Sequence, residues 1–472
     1  MTATYLFYDI ETTGLNKCFD QVIQFAAIRT DLTLKEIERH EIRIKLNRDV
    51  IPAPEAMMIH RMGIADMQEG LSEVEGIRQI HRLLNTPETI SVGYNTLGFD
   101  DEFLRFSFYR NLLPPYTHQF NHHCSRMDIY PMVVMFYLFH RDVLPWPILD
   151  NKISFKLEQI NALNQFVKGQ AHHAMVDVEI TVALAQKLAQ HAKMWEFLRG
   201  YFQKNTDHER LTQLPFSLPI AEHQFQEGLL ISGKLGTAAQ FQAPVMSLGQ
   251  HHHYRNQTLW LRLDDENLMK TENPSIAETT FVIRKRSGES PFILPPKERF
   301  LKNLSPERRI QTDKNRLWLQ QNPELVKQMV HYHQNYKYPV VKNTDCEALL
   351  YDTGFPPPFE EKLYQQFHQA PIPQKEKTAE RFADPIRREL AMRLLARHYP
   401  EALSQENFRF YHHFLQQIVA SDAPPINYRG EIHLTPKHAQ QQITALKMKS
   451  LDVTQQQLLH DYEAYLQSIA QL

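Results

Sequence analysis

Two carboxylates stand two residues apart in Tyr8-Asp9-Ile10-Glu11-Thr12-Thr13-Gly14, where the apolar run from Tyr5 to Ile10 ends in acids. On a strand, positions two apart share a face, so Asp9 and Glu11 are expected to project side by side. Carboxylates held together repel and raise one another's pKa unless a cation sits between them. A pair of divalent metal ions relieves that repulsion and supplies hydrolytic chemistry. Thr12, Thr13 and Gly14 then form a tight turn that a nucleic-acid backbone can approach closely. Taken alone, the pattern describes an acidic strand end on a solvated edge equally well.

Two further clusters lie downstream. Gly93-Tyr94-Asn95 is followed by Phe99-Asp100-Asp101-Glu102-Phe103, a strand end leading into a helix that begins with acids. By itself this reads as helix capping by Asp100 or Asp101, since the first amides of a helix need an acceptor. In His172-His173-Ala174-Met175-Val176-Asp177-Val178, an aspartate sits inside an otherwise apolar helical stripe, shortly after two histidines. An imidazole deprotonates water near neutral pH because its ordinary pKa lies there. Two loop histidines and one exposed helical aspartate are the plain alternative.

The elements that must position these residues are legible from periodicity. Strands are expected over Tyr5–Ile10, Gln21–Arg29, Glu41–Leu46 and Thr89–Tyr94, and helices over Val74–Leu84, Asp100–Arg110 and from about residue 175. This pattern predicts a mixed α/β domain ending near Arg199. Between about 200 and 340 helical periodicity is weak, and short apolar strands recur at Thr258–Leu263 and Thr280–Ile283. Beyond the rigid Pro356-Pro357-Pro358, helices are expected over Arg387–His398, Glu406–Val419 and Gln455–Ile469.

The spacing Asp9-x-Glu11, Asp100 after Gly-Tyr-Asn, and His172 separated by four residues from Asp177 resembles the DEDDh exonucleases, whose fold is ribonuclease H-like. Gln24-Phe25-Ala26-Ala27-Ile28-Arg29-Thr30-Asp31, Phe99-Asp100-Asp101-Glu102, Phe108-Tyr109-Arg110-Asn111 and Leu350-Tyr351-Asp352 with Gly354-Phe355 look like the bacterial exodeoxyribonuclease I family in particular. The resemblance implies an exonuclease domain over 1–199, a mostly β, SH3-like DNA-clamping domain over 200–348 and a helical domain over 349–472. It implies 3′ to 5′ degradation of single-stranded DNA to 5′-mononucleotides, with Asp9, Glu11, Asp100 and Asp177 holding two Mg2+ ions, Mn2+ being a substitute. Asp9 is then the ligand shared by both ions. His172 becomes the general base, selected over His173 by the family's spacing. The implied partners are single-stranded DNA and the acidic C-terminal tail of single-stranded DNA-binding protein, the enzyme itself being a monomer. Two departures stand out: Ile10 occupies a position where the family favours an aromatic, and His173 one where an acid is expected.

A strand held without reading its sequence needs cations along the backbone and apolar faces for the bases. Thr12, Thr13, Gly14 and Asn95 are the candidate backbone contacts, and Phe103, within the run Phe103, Phe106, Phe108 and Tyr109, the candidate base contact. The basic stretch from Arg284 to Arg316, with Arg284 and Arg286 foremost, is the candidate electrostatic groove, although such runs are often only a solvated face.

The bulk numbers are compatible with this. A chain of 472 residues, 42% hydrophobic and 22% charged, is of globular composition and long enough for two or three domains. A net charge of −2 leaves nucleic-acid binding to local patches. Three widely spaced cysteines, Cys18, Cys124 and Cys346, form neither a disulfide framework nor a zinc site. His122-His123-Cys124 lacks a second ligand pair with finger spacing, and His251-His252-His253 reads as a polar loop. The opening Met1-Thr2-Ala3-Thr4 lacks the marks of a signal peptide, and no apolar run spans a bilayer, so a cytoplasmic location is expected. The competing readings are a DEDDh exoribonuclease or proofreading nuclease, which needs little beyond the first domain, and an inactive nuclease-fold scaffold. Such a scaffold is expected to have lost a carboxylate, and all four are here.

Overall fold

The computed structural model describes residues 2–168, 173–420 and 423–469. The chain divides into two units. One comprises Met1–Arg126, Lys168–Glu179 and Val340–Leu472, the other Met127–Val167 and Ile180–Pro339.

The first unit is organised around β1 (Thr4–Thr12), β2 (Val22–Thr30), β3 (Glu36–Arg43) and β4 (Thr89–Gly93). With β5 (Ser125–Asp128) they form a five-stranded sheet in the order β3-β2-β1-β4-β5. The first three strands are antiparallel, with Asp9 opposite Ala26, while β4 runs parallel to β1, with Phe7 opposite Val92. A parallel partner requires a crossover, and the helix Glu73–Leu84 supplies it. That helix starts at a Ser72–Glu75 capping box and buries Ile77, Ile80 and Leu84 against Leu6, Tyr8, Ile10 and Phe25. The buried Arg29 guanidinium donates to the hydroxyls of Thr4 and Thr89 and to the Leu83 carbonyl, fastening β2, β1 and β4 together. This is the mixed sheet of a ribonuclease H-like exonuclease fold.

The third strand begins earlier than its alternating Ile42, Ile44 and Leu46 predict. Main-chain pairing to β2 decides it, with Thr30 opposite Glu36 and Arg29 opposite Glu38, and the strand presents charged residues to solvent as sheet edges commonly do. Beyond it, Ile44 makes an isolated bridge to Leu71.

The helices after Pro357 pack within this same unit. Leu390, Leu394 and Leu395 of the helix Pro385–His398 meet Val74, Phe106 and Tyr109, and Tyr411, Ile443 and Tyr462 meet Ile23, Ile51 and Met57. Charge is buried along with them. Arg397 donates to the Asp49 carboxylate at 2.6 Å and to Glu347 at 2.5 Å, Arg393 donates to Asp345 at 2.8 Å, and Arg110 donates to Glu73 at 2.7 Å.

The second unit contains a small hairpin, β6 (Ile148–Leu149) with β7 (Lys152–Ile153). It also contains β8 (Phe216–Ile220), β9 (His223–Ile231), β10 (Gln242–Gln250), β11 (Gln257–Arg262), β12 (Val282–Arg286) and β13 (Phe292–Leu294). These six form an antiparallel sheet in the order β12-β11-β10-β9-β13, with β8 also on β9. Two helices, Pro306–Gln321 and Pro323–Asn335, occur where the sequence shows little helical periodicity. The first buries only Thr312, Asn315 and Leu319, so it carries no apolar stripe for periodicity to detect. Among the described residues no helix is long and apolar enough to cross a membrane.

Removing the cation from the Asp49–Arg397 pair strands a wholly buried carboxylate. Arg397→Leu is therefore expected to cost about 3–5 kcal/mol, read from denaturant unfolding of the full chain. A loss below about 1 kcal/mol would show that Asp49 does not depend on this partner.

Candidate active site

β1 alternates, and the alternation sorts its residues. Tyr8 and Ile10 enter the core, while Asp9 and Glu11 stand together on the part-exposed positions of the strand's end. Asp177 reaches the same place from the first turn of the helix Ala174–Ala189, which opens with the His173 carbonyl accepting from the Val176 and Asp177 amides. Oxygens of Asp9, Glu11 and Asp177 lie within 4.8 Å of one another. Asp100, at the start of the helix Asp100–Arg110, is buried and close enough to act electrostatically on both Asp9 and Glu11. Four acids from three separated segments thus converge.

Their electrostatics are those of acids brought together without a cation. Burial, then Asp100, Glu11 and Asp177, hold the Asp9 carboxyl well above its ordinary value. Burial, then Asp177 and Asp100, push Glu11 up to about 8. An oxygen-only donor set of this kind suits a hard divalent cation.

The neighbouring Asp101 has the opposite fate. Burial alone raises a carboxyl, but Arg105 and Arg126 overrule it and hold Asp101 far below the usual range. Its oxygens accept from Arg105, from Arg126 at 2.6 Å and from the His118 ring at 2.8 Å. The cap of this helix is Phe99, which makes no side-chain cap bond, so the capping expected of Asp100 or Asp101 gives way to two different roles. Asp100 joins the acidic cluster, and Asp101 anchors the helix from inside.

In the turn after β1 the threonine hydroxyls bond within the turn itself. Thr12 Oγ1 donates to the Gly14 carbonyl at 2.8 Å, and Thr13 Oγ1 donates to Asp20 at 2.9 Å while accepting from the Gln21 amide. Both side chains are buried, so their hydroxyls are spent on shaping the turn. A Cβ on Gly14 would sit 2.5 Å from an Asp20 carboxylate oxygen, which leaves room only for glycine. Asn95 lies exposed on the turn after β4, with φ of 64°, a left-handed conformation that asparagine tolerates.

Phe103 corrects an expectation. Its side chain is 0% exposed, and Phe106, Phe108 and Tyr109 are equally buried, because the helix bearing them is covered on all sides. None offers a face to a base. The exposed apolar surface is elsewhere: Leu15, 79% exposed, lies just past the turn. With Ile59, Phe99, Ile432 and Leu434 it lines a cleft of about 420 Å³ whose wall includes Glu11 and Gly14. Leu15 could have been suspected as an apolar residue in a tight polar turn. Ile432 and Leu434 had no such signal, being more than 400 residues away in sequence.

In the second unit, Arg284 lies over the rings of Tyr336 and Tyr338, and Arg286 is exposed, 3.9 Å from Glu289. Much of the basic run around them is neutralised internally. Lys285 is buried against Asp207, Arg308 pairs with Asp264, Arg309 with Glu298 and Arg316 with Glu227. The run is thus less of a cationic groove than its composition suggests. His172, the expected base, lies outside the described residues.

The sheet and the acidic cluster define the chain as carrying an exonuclease domain of the ribonuclease H-like class. The family model described as Exonuclease matches residues 6–185, and that described as Exonuclease I C-terminal domain matches 344–469. Exodeoxyribonuclease I of Escherichia coli is 30% identical over 61% of this chain and 60% of its own length. That of Haemophilus influenzae is 33% identical over 45% of each, so the sequence matches span about half the length of the curated relatives. Solved structures match over nearly the whole chain. Exonuclease I from Methylocaldum szegediense has a TM-score of 0.84 at 24% identity, covering 99% of this chain and 100% of that one. E. coli Exonuclease I in complex with a 5cy-dT13 oligonucleotide has a TM-score of 0.85 at 22% identity, with the same coverage. The chain is similar to bacterial exodeoxyribonuclease I.

The raised Glu11 carboxyl makes the metal-free protein sensitive to pH. Its ordinary value is 4.5 and its folded value about 8, so the folded state binds the additional proton, and that stability is lost as pH rises through this window. In EDTA, the Tm advantage of wild type over Glu11→Gln is expected to shrink from pH 5 to pH 8, and magnesium to restore Tm at pH 8. An advantage that grows with pH would contradict the placement of Glu11.

Proposed function

We propose that this protein is an exodeoxyribonuclease that degrades single-stranded DNA from the 3′ end, releasing 5′-mononucleotides, in DNA repair and recombination. The observation carrying this reading is the convergence of Asp9, Glu11, Asp100 and Asp177. Their fit to hard cations supports two Mg2+ ions, with Mn2+ able to replace them. Bound there, divalent metal activates water and stabilises the charge that develops on the scissile phosphodiester.

The remaining work falls to the chain's own groups. His172, just ahead of the helix that presents Asp177, takes the proton from the attacking water. Asn95 and the backbone of the Thr12–Gly14 turn position the sugar-phosphate chain. The cleft beside Glu11 receives the terminal nucleoside, with Leu15 and Phe99 as apolar faces and bulk water displaced. Arg284 and Arg286 hold more distant phosphates. This assignment divides the chain into an exonuclease domain over 1–199, an SH3-like DNA-clamping domain over 200–348 and a helical domain over 349–472. The antiparallel sheet β8–β13 and the helices beyond Pro357 support the latter two.

The solved relatives include a complex described as SSB/Exonuclease I with inhibitor CFAM. By that likeness the acidic C-terminal tail of single-stranded DNA-binding protein is the proposed protein partner, for a monomeric cytoplasmic enzyme.

The primary test is digestion of 5′-labelled oligonucleotides, comparing single-stranded DNA, its duplex and its RNA counterpart, in magnesium or EDTA. A magnesium-dependent ladder shortening from the 3′ end of single-stranded DNA is expected. Preference for RNA would make the protein an exoribonuclease, and tight binding without cleavage a scaffold. Asp177→Ala should abolish cleavage while leaving DNA binding largely intact. His172→Ala should slow turnover by roughly 10²–10⁴-fold, the usual loss for a general base, whereas His173→Ala should not.

A further inference from the structure

The turn that follows Glu11 is held in part by a residue 411 positions later. Pairing of β1 with β2 shifts register between Glu11 and Thr12. Irregular pairing of this kind re-aims the side chains beside it, so the turn as well as the strand sets where Glu11 points. Inside the turn, the Asp20 carboxylate accepts from Thr13 Oγ1 at 2.9 Å and from the Asn16 amide at 2.8 Å. The Asn16 side chain bonds beyond the turn. Its Oδ1 accepts from Asn427 Nδ2 at 3.2 Å, and its Nδ2 donates to the Ile432 carbonyl at 3.4 Å. The His433 ring lies 5.0 Å from that of Phe19.

The loop bearing Asn427 is a firm support. Asn427 is buried, and its Oδ1 accepts from the Arg429 and Glu431 amides at 2.8 and 3.0 Å. Ile426 bridges to Thr344 and to Ile432, and the Tyr428 ring stacks on Phe106 at 5.9 Å. Asn427 Nδ2 has two hydrogens to donate. One goes to Glu431 at 2.7 Å, inside the loop, and the other to Asn16.

We propose that Asn427 is a positioning residue for the acidic cluster. Through Asn16 it holds the turn that sets where the Glu11 carboxylate meets a divalent cation, and it touches neither metal nor substrate. The proposal rests on the metal-dependent reading above and adds to it a contribution from the C-terminal segment. Lys17, on the same turn, donates to the Gly98 carbonyl at 2.7 Å and to Glu102. The turn is thus also held from the side of Asp100, and losing Asn427 loosens it without collapsing it.

The test compares Asn427→Ala, Asn16→Ala and the double variant in the full-length protein. Asn16→Ala cuts the same bond from the other end and leaves the Asn427 loop its own bonds. In metal-free protein, amide hydrogen exchange over 12–20 is expected to quicken in both single variants, while the helix Pro436–Lys447 exchanges as in wild type. Calorimetric titration with Mn2+ in the absence of DNA should show affinity about tenfold weaker, the lower end of the cost of losing a group that orients a metal ligand. The magnesium concentration giving half-maximal DNA degradation should rise by a similar factor, which a smaller folded fraction alone would not cause. The double variant should be no worse than the weaker single one, as for two ends of one contact. Unchanged Mn2+ affinity in both single variants, with wild type binding the ion, would overturn the positioning role and spare the metal site. Failure of wild type to bind Mn2+, with exchange over 12–20 quickened in both variants, would overturn the metal-dependent reading and spare the coupling of the turn to Asn427.

Discussion

Mutual repulsion of carboxylates at the end of β1 is the constraint around which the first unit is built. Acids do not gather in a partly dry place unaided, because burial and like charge both oppose ionisation. The surrounding fold must therefore be stiff enough to hold them. Asp9 and Glu11 sit on the strand at the middle of the sheet, secured on one side by β2 and on the other by β4. Arg29, buried among Thr4, Thr89 and Leu83, ties those three strands to one another. Asp100 is held in place from behind, since its neighbour Asp101 is locked by Arg105, Arg126 and His118. Adjacent acids on one helical turn thus divide the labour, Asp100 adding its charge to the acidic cluster and Asp101 pairing with cations inside.

The same economy explains why several residues chosen for chemistry turn out to be scaffolding. Thr12 and Thr13 spend their hydroxyls on the turn that aims Glu11. Phe103 and its aromatic neighbours fill the layer between the sheet and the helices beyond Pro357. The apolar surface next to the acids comes instead from Leu15, Ile59, Phe99, Ile432 and Leu434, which the fold gathers from four stretches of chain. In the second unit, burial converts a run that reads as cationic into a set of internal ion pairs. Arg284 keeps its charge unmatched by any described carboxylate, among aromatic rings.

The helices after Pro357 are integral to the first unit. Asp49–Arg397–Glu347 buries charge where these helices meet the sheet's flanking elements. Buried pairs of this kind contribute little net stability, but each partner is costly to lose, so they enforce one mode of packing. The Ile432–Leu434 wall of the cleft depends on that packing, which links the C-terminal segment to the surface beside Glu11.

Sequence alone determined the elements that follow a local rule. The period-two run ending in Asp9 and Glu11, the helix Asp100–Arg110 and the late helices are set by side-chain alternation and apolar stripes. The acidic quartet was legible because its spacing repeats a family pattern. Tertiary structure decided what depends on neighbours distant in the chain. It extended β3 backwards through main-chain pairing that side-chain alternation does not encode. It separated Asp100 from Asp101, whose identical side chains differ only in what surrounds them. It buried Phe103, paired most of the basic run, and brought Ile432 beside Leu15. Burial and ion pairing are properties of contacts, and a contact between residues 400 positions apart leaves no trace in the composition of either segment.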